Sequence, residues 1–179
     1  MSPPNKTEIK DRYDHLGGEM YDIRYTEEQN EKYEHILGYL GRGKTLDNGC
    51  GTGLFLQKLG EYSVGLDISS ELLRESRLRS NRCLVQADSE NLPFRDNVFD
   101  SLVSVTVIQN VPSPRAMVSE SSRVTKPSGK IIISSLKRVY KKDEFRKLLH
   151  FEELCIDTIF TTEKTNDWIA VMINKSNKN

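Results

Sequence analysis

The stretch Thr45-Leu-Asp-Asn-Gly-Cys-Gly-Thr-Gly-Leu-Phe55 decides the fold. Lys44 to Asn48 reads as a buried strand that runs into a glycine-rich turn and then a helix. Gly49, Gly51 and Gly53 stand two apart. Without Cβ atoms the backbone there can pass close against a flat or charged ligand, and the following helix would offer N–H groups. A turn of this kind after the first strand is where open α/β sheets bind nucleotide-like ligands.

Downstream, the apolar run Ser63-Val-Gly-Leu-Asp67 reads as a second strand that ends in an acid 20 residues after Asp47. A carboxylate in that place can accept both hydroxyls of a ribose. Cys83-Leu-Val-Gln-Ala-Asp88 is a third run ending in an acid, and Phe99-Asp-Ser-Leu-Val-Ser-Val105 is a fourth, leading into Thr106-Val-Ile-Gln-Asn110. Each acid alone has an ordinary structural reading: Asp47 as a turn cap, Asp67 as the N-cap of a helix starting near Ser69, Asp88 as a loop acid. All three at equivalent strand ends, after a glycine turn, point to a site instead. The nicotinamide fingerprint Gly-x-Gly-x-x-Gly fails, because the sixth position is Leu54 counted from Gly49 and Leu56 counted from Gly51.

These motifs resemble those of class I S-adenosylmethionine-dependent methyltransferases, in the broad group that includes ubiquinone-biosynthesis and RNA methyltransferases. The resemblance rests on Leu46-Asp-Asn-Gly-Cys-Gly-Thr-Gly53, Val64-Gly-Leu-Asp-Ile-Ser69 and Ala87-Asp-Ser-Glu-Asn-Leu-Pro-Phe94, and continues through Asn97-Val-Phe-Asp100 to Pro127-Ser-Gly-Lys-Ile-Ile-Ile-Ser134. It spans roughly residues 27–175 and implies S-adenosylmethionine as cofactor. It also implies roles. Gly49, Cys50, Gly51 and Gly53 form the turn around the methionine part, and Asp47 orients its ammonium. Asp67 holds the ribose, with Ile68 against the adenine. Asp88 and the amide of Ser89 meet the adenine edge, and Thr106 begins the wall nearest the methyl group.

The implied fold is α/β: one Rossmann-like, doubly wound, seven-stranded sheet, mostly parallel, with helices on both faces and a C-terminal antiparallel hairpin. From the residues themselves, five strands alternate with helices. The fifth strand is expected at Lys130 to Ser134, and helices at 27–40, Ser69 to Leu78, Arg115 to Val124 and Asp143 to Phe151. Leu154 to Phe160 and Trp168 to Ile173 flank a polar turn and should pair as the hairpin. The domain runs over 27–175, preceded by a segment 1–26 and followed by a polar tail, 176–179.

The chain has 179 residues, with 26 basic against 26 acidic side chains, so no global charge marks a nucleic-acid binder, although local patches remain open. No window is apolar enough to span a membrane, and the start lacks the apolar core of a signal peptide. The three cysteines are widely separated and the three histidines lack ligand spacing, so no metal site is expected. Cys50 reads as a small apolar filler. The set fits a reducing, cytoplasmic compartment.

The resemblance puts substrate-activating residues beyond the fourth strand, where Gln109 and Asn110 stand. Neither is a strong base, so positioning is expected of them. The Asn/Asp-Pro-Pro-Tyr of many amino-group methylating relatives is replaced by Ile108-Gln-Asn-Val-Pro112. Tyr13, Tyr21 and Tyr25 could form a lid over the cofactor or pack the first helix. Two basic clusters, Arg74, Arg77 and Arg79 on one helix and Lys137, Arg138, Lys141 and Lys142 in a late loop, keep RNA open as the acceptor beside a small molecule. Some relatives work with a small activator subunit. The alternative to an enzyme is a cofactor-binding, non-catalytic partner subunit.

Overall fold

The computed structural model describes residues 5–8, 11 and 29–175. Seven strands form one sheet: β1 (Thr45–Asn48), β2 (Val64–Asp67), β3 (Cys83–Gln86), β4 (Phe99–Ser104), β5 (Thr125–Leu136), β6 (Leu154–Phe160) and β7 (Asp167–Asn174). Their order is β3-β2-β1-β4-β5-β7-β6. The first five pair in parallel, and β7 pairs antiparallel with both β5 and β6. The strand order therefore reverses at β1. The crevice beyond the carboxyl ends of β1 and β4 lies at that reversal, where such sheets bind ligands.

Helix α1 covers 29–37 in the described residues, followed by α2 (Ser70–Arg79), α3 (Pro114–Val124) and α4 (Lys142–Leu148). Alternation along the central strands divides the core. Val103, Ile132, Ile169 and Val171 face Tyr33 and Ile36 of α1. Leu102, Ile131, Ile133, Ala170 and Met172 face the other way, against Met117 and Val118 of α3 and Phe145 of α4. Helices thus cover both faces, and 131–133 of β5 and 169–173 of β7 read as continuous apolar runs because both their faces are covered.

Several boundaries differ from the sequence expectation, and one matters for the site. No α-helix follows the glycine turn; a single 3-10 turn, Leu56–Lys58, stands there. Gly51 and Gly53 take positive φ, +52° and +82°, where a first helical turn would form, and Gly60 closes the segment soon after. Too few residues remain between these breaks to nucleate a helix. The fifth strand is longer than expected, starting at Thr125. Its early part is irregular, with Ser128 at φ +65° and a register shift opposite Phe99 to Ser101. Helix α4 ends at Leu148 instead of reaching Phe151. Tyr13, Tyr21 and Tyr25 lie outside the described residues.

Candidate active site

The carboxyl ends of β1, β2 and β4, with the loop after β3, meet in the crevice. The glycine turn is fastened to β2, since the Gly49 and Cys50 amides both donate to Leu66 O, at 2.7 and 2.9 Å. The Gly51 amide donates to Asp67 Oδ2 at 2.9 Å, and the Ser69 amide to Asp67 Oδ1 at 2.9 Å. The Gly49, Cys50 and Gly51 amides are therefore engaged within the protein, and the α-helix expected to follow the turn and offer its N–H groups is absent. What the turn offers is close approach. A Cβ on Gly49 would collide with Val107, and one on Gly53 with Ser76, whereas one on Gly51 would meet nothing within 4 Å. Gly51 is thus the glycine whose missing side chain leaves open space in the crevice.

Asp47 is almost fully buried, and its Oδ2 has no hydrogen-bond partner among the described residues. Burial first, and the nearby Asp67 charge second, push its carboxyl up to about 8. An unpaired buried carboxyl is unfavourable by itself and calls for a donor or a cation. Gln29 of α1 brings a second unpartnered buried oxygen, Oε1, to the same pocket, which Tyr33, Asp47, Cys50, Gly51 and Val105 also line. Burial likewise pushes the Cys50 thiol well up, so it sits as a packed neutral side chain and not as a thiolate nucleophile.

Asp67 is not the cap of α2; Ser69 is, accepting from the Leu72 amide at 3.2 Å. Asp67 is buried at 8 % exposure, and each of its carboxylate oxygens accepts a backbone amide, Oδ2 from Gly51 and Oδ1 from Ser69. Ile68 is half-buried beside it, and its carbonyl accepts from Gln86 Nε2 at 3.1 Å. Ser89 Oγ donates to Asn48 Oδ1 at 2.7 Å, which joins the loop after β3 to the end of β1. Asp88 is engaged by Lys6, which also reaches Glu90 at 2.9 Å. Arg123 fixes the rest of that loop. It donates to the carbonyls of Leu92 and Phe94 and to the carboxylates of Glu120 and Asp96, all at 2.7 to 3.0 Å.

Beyond β4 the chain turns sharply at Thr106, a non-glycine residue at φ +62°. Such a conformation persists only where surrounding contacts fix it. Thr106 N donates to Ser134 Oγ at 2.9 Å, and its hydroxyl donates to Asp167 Oδ2 at 2.8 Å. Gln109 Nε2 and Asn110 Nδ2 donate to its carbonyl at 2.6 and 3.1 Å. Gln109 Oε1 accepts from Ser135 at 3.0 Å. Gln109 and Asn110 thus brace the wall beside the crevice.

Sequence reasoning missed Lys32 and Asp167. Lys32 Nζ donates to Thr106 Oγ1 at 3.1 Å and pairs with Asp167 Oδ2 at 3.0 Å. The signal was present in both elements. Lys32 precedes Ile36 by one helical turn, and Asp167 shares strand parity with Ile169 and Val171, so both face the apolar interior. A charge at a core position on each of two elements predicts a pair.

A doubly wound α/β sheet with a glycine turn, an acid beside it on β2 and an unsatisfied buried acid on β1 defines a nucleotide-cofactor fold. Residues 46–133 match the methyltransferase domain family. An uncharacterised protein of Methanocaldococcus jannaschii is 32% identical over 123 residues, 67% of this chain and 59% of that protein. The malonyl-[acyl-carrier protein] O-methyltransferase of Erwinia pyrifoliae is 34% identical over 120 residues, 63% of this chain and 46% of that enzyme. The chain thus spans about half the length of these curated relatives. Among solved structures, the complex between the Haloferax volcanii Trm112 methyltransferase activator and its methyltransferase superposes with a TM-score of 0.81 at 16% identity, over 96% of this chain and 99% of that one. Residues 46–133 thus carry a methyltransferase domain, in a fold shared with S-adenosylmethionine-dependent methyltransferases.

Among the described residues, no helix is long and apolar enough to cross a membrane, and no group of three His, Cys, Asp or Glu side chains could hold a metal.

Proposed function

We propose that this chain transfers the methyl group of S-adenosylmethionine to an acceptor, RNA or a small molecule. The observation that carries the reading is Asp47 Oδ2, buried and unpartnered next to the open face of Gly51. A ligand bearing an ammonium group would satisfy it and restore its ionised form. Asp67 would accept the ribose hydroxyls, with Ile68 on the adenine face and Asp88 and Ser89 at its edge. When bound, the cofactor supplies a methyl group on a positively charged sulfur, open to in-line displacement. The chain's own part is orientation. Thr106, braced by Gln109 and Asn110, forms the wall on which the acceptor is aligned, and no residue in this wall is a strong base.

The test is calorimetric titration of the purified protein with S-adenosylmethionine and S-adenosylhomocysteine, with NAD as control. Micromolar binding of both sulfur ligands, no NAD response, and at least tenfold weakening in Asp67→Ala are expected. Silence with both sulfur ligands would reject the reading.

A small activator subunit is also supported. Strand β3 is an open sheet edge with Cys83 and Gln86 exposed, and Leu78 of the neighbouring α2 is 84 % exposed. A structural neighbour is described as a complex with an activator. Free thiols at Cys83 and Cys155, both exposed, fit a cytoplasmic location.

A further inference from the structure

The acceptor side of the site carries an uncompensated cationic rim. The whole chain is neutral, yet residues 137–147 contain six lysines and arginines against two acids, Asp143 and Glu144. Both acids occupy the first turn of α4, and Glu144 accepts from the Lys141 amide at 2.9 Å. Among the described residues, no carboxylate lies within ion-pairing distance of Lys137, Arg138, Lys141, Lys142 or Arg115. In the other basic cluster Arg74 is neutralised by Glu71 at 2.9 Å; Arg79 is bonded to Thr52 Oγ1 at 2.8 Å, as Lys137 Nζ of the rim is to the Thr165 carbonyl at 2.8 Å.

This rim is ordered around an aromatic ring. Lys137 Nζ and Lys142 Nζ each lie 5.6 Å from the centre of the Trp168 ring. Trp168 Nε1 donates to Tyr140 O at 3.2 Å, and the Lys137 amide donates to Asn166 O at 2.8 Å. Arg115, at the start of α3, stacks 4.3 Å from the Phe151 ring. The rim also adjoins the wall at Thr106. Trp168 is the register partner of Ser135, so the two side chains share a sheet face, and Ser135 is the residue that bonds Gln109.

Resting on the methyltransferase reading, we propose that the acceptor is RNA and that Lys137, Arg138, Lys141, Lys142 and Arg115 hold its phosphates while Trp168 offers a face for a base. Cations on two separate elements suit a chain of phosphates more than a single one. Cations interleaved with aromatic rings are the pattern of single-stranded nucleic-acid binding. A small neutral acceptor would have no use for this field.

Trp168 is the only tryptophan of the chain, so its fluorescence reports on the rim directly. The probe is a mixed-sequence single-stranded RNA of about 20 nucleotides, titrated into the full chain over a salt series. Saturable quenching is expected, with log K falling against log salt at about −0.7 per phosphate neutralised. The triple variant Arg138→Glu/Lys141→Glu/Lys142→Glu should bind at least tenfold more weakly, with S-adenosylhomocysteine affinity and melting temperature unchanged. Absence of RNA binding at low salt, or equal binding by the variant, would overturn the proposal. So would equal binding of polyglutamate, or of vesicles containing anionic lipid, since each would mark a general polyanion surface. The S-adenosylhomocysteine titration separates the two readings: loss of cofactor binding in the unaltered protein rejects the methyltransferase reading, whatever RNA does.

Discussion

Lys32 Nζ lies 3.0 Å from Asp167 Oδ2, and the two side chains are 1 % and 0 % exposed. This pair ties α1 to β7, and the same carboxylate oxygen accepts from the hydroxyls of Thr106 and Ser134 at 2.8 and 2.7 Å. It is a fixing point for the turn that ends β4. Asp167→Asn keeps the shape and leaves a buried ammonium without its counter-charge. We expect about 3–5 kcal/mol of destabilisation. Lys32→Met/Asp167→Asn, which removes the stranded charge, should be more stable than Asp167→Asn alone. Denaturant midpoints of the single and double variants check this, and equal stability of the two would show that the charge is not isolated.

The Asp47 carboxyl gives the empty protein a pH signature. Its ordinary value is 3.8, and burial beside Asp67 raises it to about 8. Between those values the folded state binds a proton that the unfolded chain has released, so this group's contribution to stability declines as pH rises from about 4 towards 8. Cofactor binding has the opposite trend. An ammonium ligand favours ionised Asp47, so affinity should rise with pH, by up to about tenfold per unit below 8, and then level off. Binding near neutrality should release a proton, seen as a buffer-dependent heat in calorimetry. Asp47→Asn should abolish both trends.

Two glycines in one turn should fail in different ways. Gly49 sits at φ +85° with Val107 packed against it, so Gly49→Ala must push the wall aside and should lower stability by more than 2 kcal/mol. Gly51 sits at φ +52° with open space in front of it. Gly51→Ala should cost only about 1–2 kcal/mol of folding free energy while its methyl group occupies ligand space, weakening S-adenosylhomocysteine at least tenfold. A thermal melt and a titration on each variant separate the two effects.

The sheet was legible because its central strands are apolar runs punctuated by acids and glycines, a pattern with a fixed period and clear stops. The site was legible as far as strand ends carry it: Asp47, Asp67 and Asp88 stand at or just beyond the ends of β1, β2 and β3. The missing helix after the turn was not legible, since positive φ at Gly51 and Gly53 is a choice that glycine permits and does not announce. Lys32 and Asp167 escaped for another reason. Each stands at a core position within its own segment, but nothing local names its partner. Only the packing of α1 against β7, 135 residues apart in sequence, makes them a pair. The engagement of Asp88 by Lys6 spans 82 residues.

That last contact bears on cofactor affinity. Lys6 reaches both Asp88 and Glu90, and its side chain is 50 % exposed. An ion pair this open contributes little to stability, so Lys6→Ala should change it by less than about 1 kcal/mol. The effect on binding should be larger. Asp88 is the proposed acceptor for the adenine amino group, and a lysine on its oxygen competes with that donor. Hydrogen bonds to Asp88 first and Glu90 second hold the Lys6 ammonium above its ordinary pKa. Removing the lysine should therefore tighten S-adenosylhomocysteine by about two- to fivefold, with most of the gain at low salt, where the competing pair is strongest. Adenosine alone should show the same gain, since it carries the adenine without the methionine part. Weaker binding by Lys6→Ala would mean that Lys6 closes over the bound ligand and does not compete with it.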